Sequence, residues 1–140
     1  MPLIDTTTEF GQRVERRLAE EPIVWLTTVS PKGTPQPSPV WFLREGDSVL
    51  IYSQPNTPKL RNIEANPKVA ISFNATSSGG DVVIFTGEAQ VDSDAPAAND
   101  LPAYIEKYGD GIEGLGMTPE SFAADYSVPV RVKLTRLRGF

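Results

Sequence analysis

The 140-residue sequence contains no cysteine and no histidine. Without cysteine there is no disulfide and no thiolate nucleophile, and nothing points to secretion. Without histidine the commonest general base, nucleophile activator and metal ligand are all missing. Hydrolytic triads of the usual make-up are therefore excluded. A metal would have to be a hard cation caged by carboxylates, and no Asp/Glu spacing resembles such a loop. Long apolar runs are absent too, with none near the roughly 20 residues that cross a bilayer. The first ten residues, MPLIDTTTEF, lack a basic start followed by an apolar stretch, so no signal peptide is expected and the expected location is cytoplasmic. If the chain is an enzyme, a bound cofactor is expected to supply the chemistry.

Positive charge is scarce and unevenly placed. Thirteen Lys and Arg face eighteen Asp and Glu, for a net charge of −5. Between Glu88 and Asp125 nine acids stand against one base, Lys107, whereas Tyr126 to Phe140 holds four bases and no acid. An acidic total argues against a nucleic-acid partner. The basic tail reads as a strand with one solvated cationic face. No membrane partner is expected either.

What is present suits one globular domain over residues 1–140: 39% hydrophobic and 22% charged residues in a chain long enough to bury a core. Phe10, Val14 and Leu18 recur every four residues and predict a helix over 7–20, capped by Thr7 or Thr8. Ile23–Ser30 (IVWLTTVS) is rich in β-branched and aromatic residues and predicts a strand. Pro31 to Thr34 has turn chemistry. A second strand runs through Trp41, Phe42 and Leu43, and Glu45-Gly46-Asp47 turns it into a third over 48–53. Thr57 as cap, Pro58 as first residue and Asn66-Pro67 as stop predict a helix over 58–65. Strands over 68–75 and 82–92, joined by SSGGD, come next. Helical pieces follow at 95–108 and at 119–124, the latter capped by Thr118, and a last strand over 128–137 closes the chain. Six strands with short helices suggest a mainly β fold, a small antiparallel β-barrel.

The second strand carries prolines at 35, 37 and 39. In a strand each residue points its N–H and C=O to one side and its neighbour points to the other. These prolines therefore strip donors from one side only, while Gln36, Ser38 and Val40 keep theirs on the other. The pattern reads either as an edge blunted against aggregation or as an edge reserved for a flat heterocycle beside Val40–Phe42. Further on, the segment from Tyr52 to Asn62 runs from a strand end into a helix start. Free N–H groups there favour an anion, and Lys59, Ser53 and Thr57 lie close enough in sequence to hold a phosphate. An ordinary capped helix with a solvated lysine is the competing reading. Trp25 reads as core or interface. Trp41 and Phe42 fall on opposite strand faces, so at least one belongs to the core.

In order and spacing, WLTTV, PKGTPQ, PVWF, YS…K-x-R-N, N-P-K-V-A and VPVRVKLTRLRGF together resemble the pyridoxamine phosphate oxidase-like split β-barrel superfamily. Within it they resemble the actinobacterial branch that uses the deazaflavin coenzyme F420. The resemblance covers roughly residues 7–140. It implies a six-stranded split barrel, a homodimer with cofactor sites at the subunit interface, and a small-molecule substrate. It places the cofactor ring along Pro39, Val40 and Trp41, with Gln36, Pro37 and Ser38 earlier on the same wall. The phosphate would lie near Ser53, Thr57, Lys59 and Asn62, Tyr52 counts among the cofactor-binding residues, and Arg61 either adds charge or faces solvent. Thr57 stands where some deazaflavin-binding relatives carry a second basic residue, which leaves this phosphate site less cationic.

Such a cofactor supplies a hydride, a division of labour that suits a chain without histidine or cysteine. Solvent or a hydroxyl such as Tyr52 would supply any proton. The outer wall of the pocket is expected from the SSGGD loop, the acidic helical region around Tyr104–Met117 and the partner chain. FMN on the same fold is the nearest alternative cofactor. A non-enzymatic ligand carrier and a structural dimerisation domain are the other readings.

Overall fold

The computed structural model describes residues 2–140. Local chemistry starts the first helix, α1 (Glu9–Glu20), where the Thr8 hydroxyl accepts the Gly11 N–H at 2.9 Å. A cap of this kind contributes about 1 kcal/mol. Val14 and Leu18 face inward, with Phe10 half-buried beside them. The strands are β1 (Val24–Val29), β2 (Pro35–Val40), β3 (Leu43–Glu45), β4 (Ser48–Ser53), β5 (Lys68–Ser72), β6 (Val83–Val91) and β7 (Val128–Gly139). The further helices are α2 (Pro58–Ala65), α3 (Pro102–Gly114) and α4 (Pro119–Asp125), with a 3-10 turn at Ala98–Asp100.

All seven strands form one antiparallel sheet in the order β2-β1-β5-β6-β7-β4-β3. The two edge strands, β2 and β3, are consecutive in the chain and separated only by Trp41 and Phe42. Three peptide steps span about 11 Å at full extension, so the sheet must curl until its edges nearly meet. The result is a split β-barrel with a seam at Trp41–Phe42. The expected six strands become seven because this corner divides the predicted second strand.

The proline pattern resolves at the same edge. The Ser30 N–H donates to the Thr34 carbonyl at 2.9 Å, and the register carries that parity to Gln36, Ser38 and Val40, which face Thr28, Leu26 and Val24. Those three residues bond to β1, and Pro35, Pro37 and Pro39 turn their donor-less side to the open edge. Elsewhere glycine is needed for close approach: a Cβ on Gly87 would lie 2.5 Å from the Lys133 carbonyl, beside the shift in register between β6 and β7. The β3–β4 hairpin turns through Gly46 at φ +61°.

Two apolar clusters result. The barrel core gathers Val24, Leu26, Phe42, Val49, Ile51, Ile71, Phe85, Val130 and Val132 under α1. A second, aromatic cluster packs the segment between β6 and β7 against the outside of β4, with Leu50, Tyr52, Tyr104, Tyr108, Ile112 and Phe122 buried. That segment departs from expectation. The helix predicted over 95–108 begins at Pro102 and runs to Gly114, because Pro102 holds Leu101 before it extended. Of the two readings of Trp25, the core one is ruled out. At 37% exposed it lies outside the core, and its indole N–H donates to Asn74 Oδ1 at 2.9 Å. The basic tail is solvated on one face, except that Arg131 pairs with Asp92 at 2.8 Å and Glu45 at 2.9 Å. No helix among the described residues is long and apolar enough to cross a membrane.

Candidate functional site

The seam corner opens beside a cavity of about 330 Å³. Its floor is the end of β2 (Pro39, Val40) with the corner residue Trp41, one side is the end of β4 and the start of α2 (Tyr52, Ser53, Thr57, Lys59), and its roof is Tyr104 of α3 with Phe122 and Tyr126 at α4. Seven of the sequence-predicted site residues thus converge on one cavity. The other five lie elsewhere. Pro37 is exposed on the outer face of the sheet, and Ser38 sits earlier along β2. Asn62 is buried beneath α2, where its side-chain amide donates to Thr28 Oγ1 at 3.0 Å and to Gln36 Oε1 at 2.7 Å. Gln36 and Asn62 therefore staple α2 to β1 and β2. Arg61 donates to the Asn56 carbonyl at 2.9 Å and faces a separate groove of about 1000 Å³ with Glu64, Arg131 and Lys133.

The polar end of the cavity is cationic. Thr57 occupies the cap position of α2 without using its hydroxyl as a cap, and the first turn holds no acid. Its hydroxyl lies 3.2 Å from that of Ser53, which donates to the Gln54 carbonyl at 2.8 Å. The Lys59 ammonium is half-buried and has no ion-pair partner among the described residues. Burial alone holds its pKa below the usual lysine value, and no carboxylate offsets the effect. Such a cation is better satisfied by an anion than by the protein around it.

The other end is aromatic. The Trp41 ring stacks on Tyr108 (centroids 4.6 Å apart, 5° between planes) and on Phe122 (5.6 Å, 19°). The Tyr52 hydroxyl donates to the Pro96 carbonyl at 2.6 Å, and burial pushes its pKa up to about 12, so it stays protonated. Tyr108 holds the corner itself. Its oxygen accepts the Phe42 N–H at 2.8 Å and donates toward the carbonyls of Pro22 (2.8 Å) and Phe42 (2.9 Å). Sequence reasoning placed the outer wall near Tyr104–Met117 but assigned no residue there a role. The four-residue spacing of Tyr104, Tyr108 and Ile112 was the available signal. The Ser77–Asp81 loop, also expected in that wall, is instead tied to α1 through Arg13–Asp81 (2.6 Å) and Arg17–Asp81 (3.3 Å).

Lys107 braces the same corner. Its ammonium donates to the Phe42 carbonyl at 2.9 Å and lies 3.7 Å from the Phe42 ring centroid. Desolvation lowers its pKa to about 8, opposed by the Glu21 carboxylate. Between about pH 8 and the ordinary value of 10.5 the unfolded chain binds the proton that the folded chain has lost. Stability therefore rises with pH in that window. The urea midpoint of the wild type is expected to gain on that of Lys107→Met between about pH 7.5 and 10. A constant difference would show that the ammonium is not strained by burial.

The chain is similar to a solved structure named F420 reductase, at 27% identity over 89% of this chain and 94% of that one, with a TM-score of 0.68. Two more distant likenesses show the fold alone. One is to HutZ, a heme storage protein of Vibrio cholerae (18% identity, TM-score 0.64, covering 99% of this chain and 95% of that one). The other is to a conserved hypothetical protein of Mycobacterium tuberculosis (17% identity, TM-score 0.73, 94% and 82%). No functionally curated protein matches. The model of the pyridoxamine 5'-phosphate oxidase family matches residues 10–138, from within α1 to the end of β7. With nearly the whole barrel accounted for, the chain belongs to that family.

Proposed function

We propose that the chain is an oxidoreductase that holds reduced coenzyme F420 and passes its hydride to a small organic substrate with an activated double bond. One observation carries the reading. A half-buried lysine without a carboxylate partner, at the start of a helix, opens on the same cavity as Pro39–Trp41. Ser53, Thr57 and Lys59 would hold the phosphate of the coenzyme, with the Lys59 N–H as the first free donor of α2, since Pro58 has none. Pro39, Val40 and Trp41 would lie along its ring. When bound, the deazaflavin supplies the hydride. The residues of the chain bind it, orient one ring face and exclude water. The 27% identity to an F420 reductase supports the deazaflavin over FMN. A second copy of the chain is proposed to complete the site as a homodimer, covering the outer face where Trp25 and Pro37 are exposed.

The test is a fluorescence titration of the purified protein with oxidised F420 and, separately, with FMN. Micromolar or tighter F420 binding is expected. In Lys59→Ala it should weaken about tenfold, a loss of about 1.4 kcal/mol. Preference for FMN would move the protein to a flavin chemistry, and binding of neither would overturn the proposal.

A further inference from the structure

Among the described residues only Thr28, Ser53 and Asn62 are buried with polar side chains other than tyrosine, and all three meet at α2. The Ser53 hydroxyl reaches that of Thr57 at the helix cap (3.2 Å). The Asn62 amide donates to Thr28 Oγ1 (3.0 Å) and to Gln36 Oε1 (2.7 Å). Apolar support for this helix is slight, with Ile63 buried and Leu60 partly so. Buried polar groups cost free energy unless they are bonded, and no described side-chain polar atom is both sealed and unpaired. A satisfied network of this kind fixes a distance, whereas an apolar face can slide.

The network stands where alternation calls for a hydrophobe. Val24 and Leu26 fill the first two inward positions of β1, and Thr28 takes the third. Gln36 lies opposite Thr28 in the register of β1 with β2. On the helix, Asn62 follows Lys59 by three residues, about one turn further on the same side. On the strand, Gln36 precedes Pro39 by three residues, about 10 Å of extended chain. Neither Thr28, Gln36 nor Asn62 lines the cavity. Their bonds tie the helix that carries its cation to the strand that carries its wall.

We propose that Thr28, Gln36 and Asn62 are positioning residues that set the spacing between the Lys59 start of α2 and the Pro39–Trp41 wall, so that one ligand meets both at once. That this ligand is a flat ring joined to a phosphate rests on the cofactor reading above. Ring and phosphate act as two linked ligands, and the second contact adds to the first only where the spacing lets both engage. With the joint broken, each end of the cavity keeps its own groups and the link between them is lost.

Gln36→Met is the deciding variant. It removes the acceptor of one joint bond from an exposed side chain and leaves the backbone bonds of β2 in place, so it is expected to fold. F420 and FMN are each titrated beside the same chromophore without its phosphate, which for FMN is riboflavin. The whole ligand is expected to weaken about fivefold and the phosphate-free chromophore to stay within about twofold, the scale of one neutral hydrogen bond. Asn62→Leu breaks both bonds and should weaken the whole ligand about tenfold. On a Lys59→Ala background, Gln36→Met should add about twofold at most, because the charge that the joint places is gone. Equal losses for whole ligand and chromophore, or full additivity with Lys59→Ala, would reduce the joint to ordinary structural support and overturn the proposal. If F420 binds and Gln36→Met changes nothing, the joint falls and the deazaflavin reading stands. If only FMN binds and shows the expected pattern, the deazaflavin reading falls and the joint stands. Binding of neither overturns both.

Discussion

Phe42→Ala is expected to destabilise the fold by about 3–5 kcal/mol, the range for emptying a large aromatic site in a core. Total stabilities of domains this size are commonly about 5–15 kcal/mol, so the variant should be close to unfolding at moderate temperature. The ring is 0% exposed and meets Phe73 edge-on at 5.9 Å. On its other side stands the Lys107 ammonium. Collapse cannot relieve the hole easily, because Phe42 sits where the two edges of the sheet are joined by two residues. Moving either edge inward would also move β2 against β1 or β3 against β4. Urea unfolding is the measurement, with a lower midpoint and an unchanged slope expected. A loss below about 1 kcal/mol would mean that the seam is soft and the barrel is held closed elsewhere.

Alternation alone separates Trp41 from Phe42, and the structure bears this out: Phe42 enters the barrel core and Trp41 the aromatic cluster outside it. The corner between them was not legible. The run from Val40 to Leu43 reads as a single apolar strand, and what breaks it is the requirement that the sheet close. The group that holds the break, Tyr108, is 66 residues away in sequence. Elements set by local chemistry were readable for the opposite reason. The spacing of α1, the Thr57-Pro58 start of α2 and the Gly46 hairpin each carry their cause within a few residues. The candidate site divides the same way. Its cationic end is one continuous segment, from Tyr52 to Lys59, and its residues converge. Arg61, two positions past Lys59, turns to the other side of the helix because residues at i and i+2 do not share a face. Asn62, with Gln36, is taken up by the joint between α2 and the sheet. The roof was hidden because proline shifts α3 along the chain and because acidic residues surround its apolar stripe. The charge count described the solvent face of that helix and said nothing of the face that packs.

Tyr108→Phe is expected to cost about 1–3 kcal/mol, although it removes one oxygen and keeps the ring stacked on Trp41. The Phe42 carbonyl would retain Lys107 as a donor at 2.9 Å, but the Phe42 N–H would lose its partner, the Tyr108 oxygen at 2.8 Å. An N–H at the seam has no strand opposite it to turn to, since β2 and β3 do not pair with each other. The Pro22 carbonyl would lose its donor from Tyr108 as well. Tyr104→Phe makes the same chemical change one helical turn away and removes no bond within the protein. Any difference in stability between the two variants therefore isolates the corner bonds from the general effect of deleting a buried hydroxyl. Urea midpoints of the pair should differ by more than the error of either, with Tyr108→Phe the lower, and the Phe42 amide should exchange faster in that variant alone. Equal midpoints would show that the corner is held by the stacked rings and not by the Tyr108 oxygen. The opposite consequences of one substitution at two neighbouring tyrosines mark the boundary between what closes this barrel and what the cavity keeps free for a ligand.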